Sequence, residues 1–310
     1  LLDNSEYNLY KIKEELNEIS SKIKIVPLLA NIYDYKSLID YLSNQKIDYI
    51  FHSAAFKHVP LLEDNIIEAA KNNIIGTYNI AKLTQQLAIP NCLLVSTDKA
   101  VRPTNVMGAS KRIAENIFQA YGSKYESINY SIVRFGNVVN SKGSVLPMFS
   151  KQIENRLPIK LTHIDVERYF MTIPDATKLI IEISCKKSQK TPIYFLDMGN
   201  PIKILDIIKL MLKVNGLKFK KNIYDNDGDI LLEVIGLRPG EKIKEELSIS
   251  KKYDKDKENS NIYICYEEFK DLERMNFLIS ELINLINENN SNQILNFLEK
   301  NVEDYSRLLN

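Results

Sequence analysis

Apolar residues recur along this chain with two periods, and the two alternate. After Ser5, residues Leu9, Ile12, Leu16 and Ile19 return at the spacing of one helix face, with Ser5 placed to cap its start. Residues 22–29 read as a strand, Tyr35 to Leu42 as a helix, and Tyr49-Ile50-Phe51 as a strand that runs into His52-Ser53-Ala54-Ala55. A long helix is predicted from Ile66 to Leu87. Leu93-Leu94-Val95 is a short apolar run suited to a buried parallel strand, followed by a helix over 111–121 and a strand over 130–135. Strands alternating with helices at this rhythm predict βαβ units with right-handed crossovers. The expected fold class is α/β, a doubly wound parallel sheet with helices on both faces.

The rhythm loosens after about residue 140. Helices are predicted over 145–153, 176–184 and 204–214, and short strands over 193–196 and 231–234. Lys251 to Ser260 is rich in Asp and Lys and reads as a charged connector. Ile279 to Leu298 reads as a helical tail. This second half is expected to form a smaller lobe (141–310), interleaved with the core (1–140).

Composition narrows the picture. A chain of 310 residues can build one large α/β domain with an added lobe, and 45% hydrophobic with 26% charged residues describes an ordinary globule. The net charge of +1 gives no electrostatic case for nucleic acid as a partner. Cys92, Cys185 and Cys265 are widely spaced, which predicts reduced thiols, no metal site and a cytoplasmic location. No run of about 18 apolar residues is present, so no membrane segment is expected. Leu1-Leu2-Asp3 reads as the end of a strand already under way, and the chain is expected to be N-terminally incomplete.

Candidate chemistry collects after the strand at Leu93. Ser96-Thr97-Asp98-Lys99 stands at its carboxyl end, where open α/β sheets gather catalytic groups. Met107-Gly108-Ala109-Ser110-Lys111 follows, and Lys111 falls one helical turn beyond Met107 on the same face.

Taken in order, several stretches resemble a known family. They are His52-Ser53-Ala54-Ala55-Phe56-Lys57-His58, Asn72-Asn73-Ile74-Ile75-Gly76-Thr77, Ser96-Thr97-Asp98-Lys99, Met107 to Arg112, Arg134-Phe135-Gly136-Asn137, Gly143-Ser144-Val145, Arg168-Tyr169-Phe170 and Gly236 to Lys242. The chain resembles extended short-chain dehydrogenases/reductases, and within them the polysaccharide-biosynthesis 4,6-dehydratases acting on UDP-N-acetylglucosamine. The superfamily's Tyr-x-x-x-Lys pair is here Met107 and Lys111, which matches a branch of the family with Met for Tyr. Full-length members of that branch resemble proteins anchored on the cytoplasmic face of a membrane.

The resemblance implies a Rossmann-like fold whose first strand and Gly-rich loop would precede Leu1. It implies NAD as cofactor, with NADP as the alternative, held by Asp3, Ala54, Ala55, Asn73, Ser96 and Lys111. Without the Gly-rich loop, dinucleotide binding by this stretch alone is expected to be weak. Asp98 is implied as the acid and Lys99 as the base of an elimination, with Thr97, Lys111 and Met107 beside them. That role requires both Asp98 and Lys99 to be neutral at the step. Lys57, His58, Asn137, Ser144, Val145, Arg168, Arg238 and Glu241 are implied as nucleotide-sugar ligands, the two arginines as diphosphate clamps. Homo-oligomerisation through helices beside the site is implied as well. An epimerase on the same fold and a non-catalytic sugar-nucleotide binding module stay open as alternatives.

Overall fold

A computed structural model describes residues 1–20, 22–141, 143–187, 190–220, 227–249 and 253–308. The chain opens with β1 (Leu2–Asp3), α1 (Glu6–Ile19) and β2 (Leu28–Leu29), and β1 and β2 form a small parallel sheet of their own. Ser5 caps α1 as expected, accepting from the Asn8 amide. The strand predicted over 22–29 is much shorter, because only Leu28 and Leu29 find a ladder partner.

There follow α2 (Tyr35–Leu42), β3 (Tyr49–His52), α3 (Val59–Asp64) and α4 (Ile66–Ala69). A π-helical turn at Ala70–Ile75 separates α4 from α5 (Gly76–Gln86). The helix predicted over 66–87 is therefore broken. Asn73 supplies the reason: fully buried in the wide turn, it accepts from the Phe56 amide (2.8 Å) and donates to the Phe56 carbonyl (3.0 Å) and the Ser110 hydroxyl (3.0 Å). Wide turns of this kind swing a side chain out of the regular helical register.

Next come β4 (Asn91–Thr97), a 3₁₀ turn (Asp98–Ala100), α6 (Val106–Lys124) and β5 (Asn129–Phe135). Helix α6 starts five residues before the sequence pattern indicated, because the Asn105 side chain accepts from the Gly108 amide at its first turn. Alternation along β4 and β5 splits the interior. Leu94 and Ile132 join a core with α5 and α6, whereas Leu93 and Val133 face another.

The C-terminal half contributes β6 (Asn137–Val138), α7 (Val145–Glu154), β7 (Ile159–Leu161), β8 (Glu167–Arg168), β9 (Phe170–Met171) and α8 (Ile173–Ser184). Then come β10 (Ile193–Leu196), β11 (Ile202–Lys203), α9 (Ile204–Val214), β12 (Phe219–Lys220) and β13 (Ile230–Val234). The chain ends with β14 (Asp254–Lys255), β15 (Ile262–Cys265), α10 (Leu272–Asn287) and α11 (Ser291–Asn301).

One six-stranded sheet organises the molecule, in the order β14-β15-β10-β5-β4-β3. Strands β3, β4, β5 and β10 run parallel, and β15 and β14 add an antiparallel edge. The protein thus has the Rossmann-like, doubly wound α/β fold. A separate apolar core built from Phe149, Ile159, Leu161, Ile208, Leu212 and Ile230 marks the smaller lobe.

The charged connector at 251–260 carries strand β14, though residues 250–252 lie outside the described residues. The predicted single helical tail is two helices. Asn289 turns into a left-handed conformation (φ 54°) and Asn290 caps α11 by accepting from the Gln293 amide. Both helices pack on α6, which is buried from Val106 to Gly122. No helix among the described residues is long and apolar enough to cross a membrane.

Two arginines and two glutamates lie in the dry interior behind β4 and β5. Glu115 accepts from Arg134 (2.7 and 2.8 Å), Arg112 (3.1 Å) and the Ser96 hydroxyl (2.6 Å). Glu267, just past β15, takes the other faces of Arg134 (2.6 and 2.7 Å) and Arg112 (2.8 Å). Burial pushes the Glu115 carboxyl up, but the two guanidinium groups and Ser96 outweigh it and hold the group below the ordinary carboxylate range. The cluster balances two positive with two negative charges, the condition under which buried ions are tolerated.

Candidate active site

The carboxyl ends of the parallel strands converge on one edge of the molecule, as open α/β sheets require of a ligand site. Thr97 ends β4; its hydroxyl donates to Asp98 Oδ1 (2.9 Å) and accepts from the Lys99 amide (3.4 Å), which starts the 3₁₀ turn. Asp98 is fully buried, and its Oδ1 also accepts from Lys99 Nζ at 3.0 Å. Asn137, on β6, approaches the same ammonium at 3.5 Å through Oδ1.

Lys99 does not rest in the neutral state expected of it from the family resemblance. Burial lowers its pKa, but Asp98 and Glu245 raise it more, and the net shift is upward from 10.5. Lys99 rests as an ammonium, and passing its proton to Asp98 Oδ1 across the 3.0 Å contact would leave both groups neutral.

A cavity of about 640 Å³ opens beside Lys99 and lies between core and lobe. Of the residues expected to touch substrate, Asn137, Ser144, Val145, Arg168, Arg238 and Glu241 line it. Lys57 and His58 do not, although Val59 and Pro60 do. The His58 ring instead packs on the loop before α7: a Cβ on Gly143 would lie 2.7 Å from its Cε1, and Gly143 has φ of +71°. Burial depresses the Lys57 ammonium below its ordinary value.

Arg168 is already engaged. It donates to the carbonyls of Glu167 (2.7 Å) and Ile243 (3.1 Å) and faces Glu241 at 3.5 Å and Glu245 at 3.9 Å. Glu241 also accepts from the Thr162 hydroxyl at 2.9 Å and from the Arg238 amide at 3.2 Å. The Gly240 carbonyl accepts from Thr104 (2.8 Å) and Asn105 (2.9 Å), so the turn Arg238–Glu241 is fastened to the start of α6. Ser144, the residue before α7, makes no cap bond; its Oγ is buried and unpartnered among the described residues.

Lys111 reaches back from α6 to the Val95 carbonyl at 2.8 Å. Burial lowers its pKa to about 8, against an opposing pull from Glu115. Met107 is buried in the main apolar core and is absent from the cavity lining. Ala54 and Ala55 follow β3 and are half-buried; Asp3 closes β1 and accepts from the Ser5 amide at 2.8 Å. His52, which carried no expectation, is buried against Thr77 (2.9 Å) and held neutral by burial, its pKa near 3.

Glu245 escaped sequence reasoning. It is buried, lines the cavity and faces both Lys99 (3.5 Å) and Arg168. The alternation shows only in the structure, where Ile243, Glu245 and Leu247 are less exposed than Lys244 and Glu246. Two adjacent glutamates read as surface residues, and only Glu246 is one.

Fold and motifs together are of the extended short-chain dehydrogenase/reductase type. The chain belongs to the polysaccharide biosynthesis protein family, which it matches over residues 1–267. It is 40% identical over 248 residues to the capsular polysaccharide biosynthesis protein CapD of Staphylococcus aureus, covering 80% of this chain and 40% of that one. This chain thus spans about two fifths of that relative's length. A UDP-glucose 4-epimerase of Rickettsia bellii is 28% identical over 271 residues, 87% of this chain and 75% of that one. Among solved structures, Pen from Bacillus thuringiensis superposes with a TM-score of 0.72 at 29% identity, covering 87% of this chain and 80% of that one.

Proposed function

We propose that this chain carries the catalytic site of a nucleotide-sugar 4,6-dehydratase, removing water from a UDP-N-acetylhexosamine, with UDP-N-acetylglucosamine the leading candidate. The observation that carries this reading is the buried Asp98 joined to Lys99 at 3.0 Å, with the lysine lining the cavity. Removing water across two adjacent carbons needs a base for a C–H proton and an acid for the departing hydroxyl, side by side. Lys99 takes the proton from C5, and Asp98 gives one to O6. Epimerisation at C4 needs no acid at O6.

A nicotinamide dinucleotide, NAD or NADP, would supply when bound a reversible acceptor for the C4 hydride, which returns to C6; the O4 proton would leave through Thr97 or a water, because Met107 cannot accept one. The residues present fit such a group: Lys111 is a buried ammonium with further donor capacity, and the backbone at Ala54 and Ala55 is flanked by small side chains. Asp3, Ala54, Ala55, Asn73, Ser96 and Lys111 would hold it, and the carboxylate of Asp3 favours a free ribose hydroxyl over a 2′-phosphate. Arg168 and Arg238 would meet the diphosphate, with Ser144 and the first amides of α7 beside them. Arg168 must then exchange a carboxylate partner for phosphate. Glu241 would take a ribose hydroxyl. Lys57 and His58 would approach the sugar across Val59 and Pro60. The proposed setting is the cytoplasm, in glycan precursor synthesis. Copies that associate must use surfaces other than α6, which α10 and α11 already cover.

Likeness to a 4-epimerase supports a second reading on the same fold. Incubation of the full-length protein with UDP-N-acetylglucosamine and either dinucleotide, followed by mass spectrometry, separates the two. Loss of one water supports the dehydratase. Unchanged mass with a new epimer, or binding with no conversion, overturns it.

A further inference from the structure

Two carboxylates, not one, enclose the Lys99 ammonium. Asp98 Oδ1 lies at 3.0 Å and Glu245 Oε1 at 3.5 Å. The second oxygen of each carboxylate, Asp98 Oδ2 and Glu245 Oε2, is buried and has no hydrogen-bond partner among the described residues. Each carboxyl group thus keeps one oxygen unengaged and turns the other toward the same lysine.

Glu245 is also held from behind. Its segment is fastened on both sides: the Ile243 carbonyl accepts from Arg168, the Leu247 carbonyl accepts from Arg134 (3.2 Å), and the Ile249 amide donates to Glu267 (3.2 Å). The buried charge cluster behind the sheet therefore fixes where this second carboxylate stands.

We infer that Glu245 is a positioning residue for the Asp98–Lys99 pair: it holds the ammonium between two anions and sets how readily Lys99 releases its proton. Every charged group that faces Lys99 enters this balance. Asp98 from the same turn and Glu245 from the 243–249 segment favour the ammonium; Arg168 from β8 and Lys242 from the preceding turn oppose it. Arg168 stands between Glu241 and Glu245, so an anion that draws Arg168 away alters the charge felt by Lys99. The inference that this balance matters for turnover rests on the dehydratase reading; the effect on Lys99 itself does not.

Acylation of Lys99 by a small amine-reactive reagent, read by peptide mass spectrometry across a pH series, reports its ionisation with no substrate present. In E245Q the midpoint is expected about one pH unit lower than in the parent chain. In E246Q, which removes the neighbouring exposed carboxylate that pairs with Arg102, it is expected not to move. A parent-like midpoint in E245Q, or an equal shift in E246Q, overturns the inference. E245D retains the charge on a shorter stem, and its melting curve and midpoint stand in if E245Q fails to fold; a midpoint between parent and fully shifted supports the inference, and an unmoved one overturns it. Turnover then separates the two readings. If water loss occurs, its basic limb, where the pair loses its shared proton, should move down in pH with the E245Q midpoint. If no water loss occurs in the full-length parent, the dehydratase reading falls while the Lys99 measurement still decides for or against Glu245.

Discussion

A Cβ added to Gly108 would sit 2.2 Å from the carbonyl oxygen of Lys99. The first turn of α6 and the turn that carries Asp98 and Lys99 are thus in backbone contact, and only glycine permits it. G108A must push that backbone apart. We expect a loss of about 1–3 kcal/mol in urea unfolding, the range of overpacked interiors, with loss of turnover even where the variant remains folded.

Asp98 and Lys99 are predicted to be separately indispensable. D98N and K99M should each lower water loss from the nucleotide sugar by about 10²–10⁴-fold, the usual contribution of one acid or base. Calorimetric titration with UDP should still detect binding, because the proposed diphosphate contacts lie elsewhere in the cavity. Turnover that survives both substitutions would remove the mechanism.

Asn73 is predicted to matter through the backbone it satisfies. N73A leaves the Phe56 amide and carbonyl and the Ser110 hydroxyl without the amide group that now pairs with them. A destabilisation of about 1–3 kcal/mol is expected, the scale of buried polar groups left unpaired. Hydrogen exchange at Phe56 should quicken, and an unchanged rate would contradict the assignment.

Stability should rise with pH through the window set by Lys111. Its folded pKa is about 8, against 10.5 when unfolded. Below about 8 the ammonium is charged in both states and its burial cost is fully present. Between the two values the unfolded chain binds more protons, so the folded state gains as pH rises. Lys99, whose pKa is raised, works in the opposite direction only above 10.5. K111M should flatten the slope of unfolding free energy between about pH 8 and 10; a slope equal to the parent's would exclude this origin.

His52 sets an acid limit by the same reasoning. With a folded pKa near 3 and an unfolded value of 6.5, it is neutral in the native core. As pH falls through that interval the unfolded state takes up a proton that the native state refuses, and stability declines. H52Q should reduce this decline, as followed by thermal melts between about pH 4 and 7.

Much of the architecture was legible because its signals are local. The apolar runs of β4 and β5 and the spacing of α1, α2, α8 and α9 follow from periodicity alone. What the pattern missed depends on partners distant in the chain. Nothing near residue 73 announces that Phe56 and Ser110 will draw an asparagine inward and open the helix. The tail differs, since Asn289-Asn290-Ser291 contains a cap signal that an apolar periodicity can override. At the site, Lys99, Asn137, Arg168 and Glu241 line one cavity, and Asp98 lies against Lys99 outside its lining. Glu245 stayed hidden because its neighbour Glu246 makes the pair look like exposed surface.

The four-ion cluster also constrains how the molecule comes into being. Arg134 is completed by Glu267, a residue 133 positions later in the chain. A nascent polypeptide emerging from the ribosome therefore exposes two guanidinium groups and one carboxylate long before their last counter-charge is made. The central sheet can align early, but its interior stays electrically unfinished, and open to water, until the segment that carries Glu267 has been synthesised.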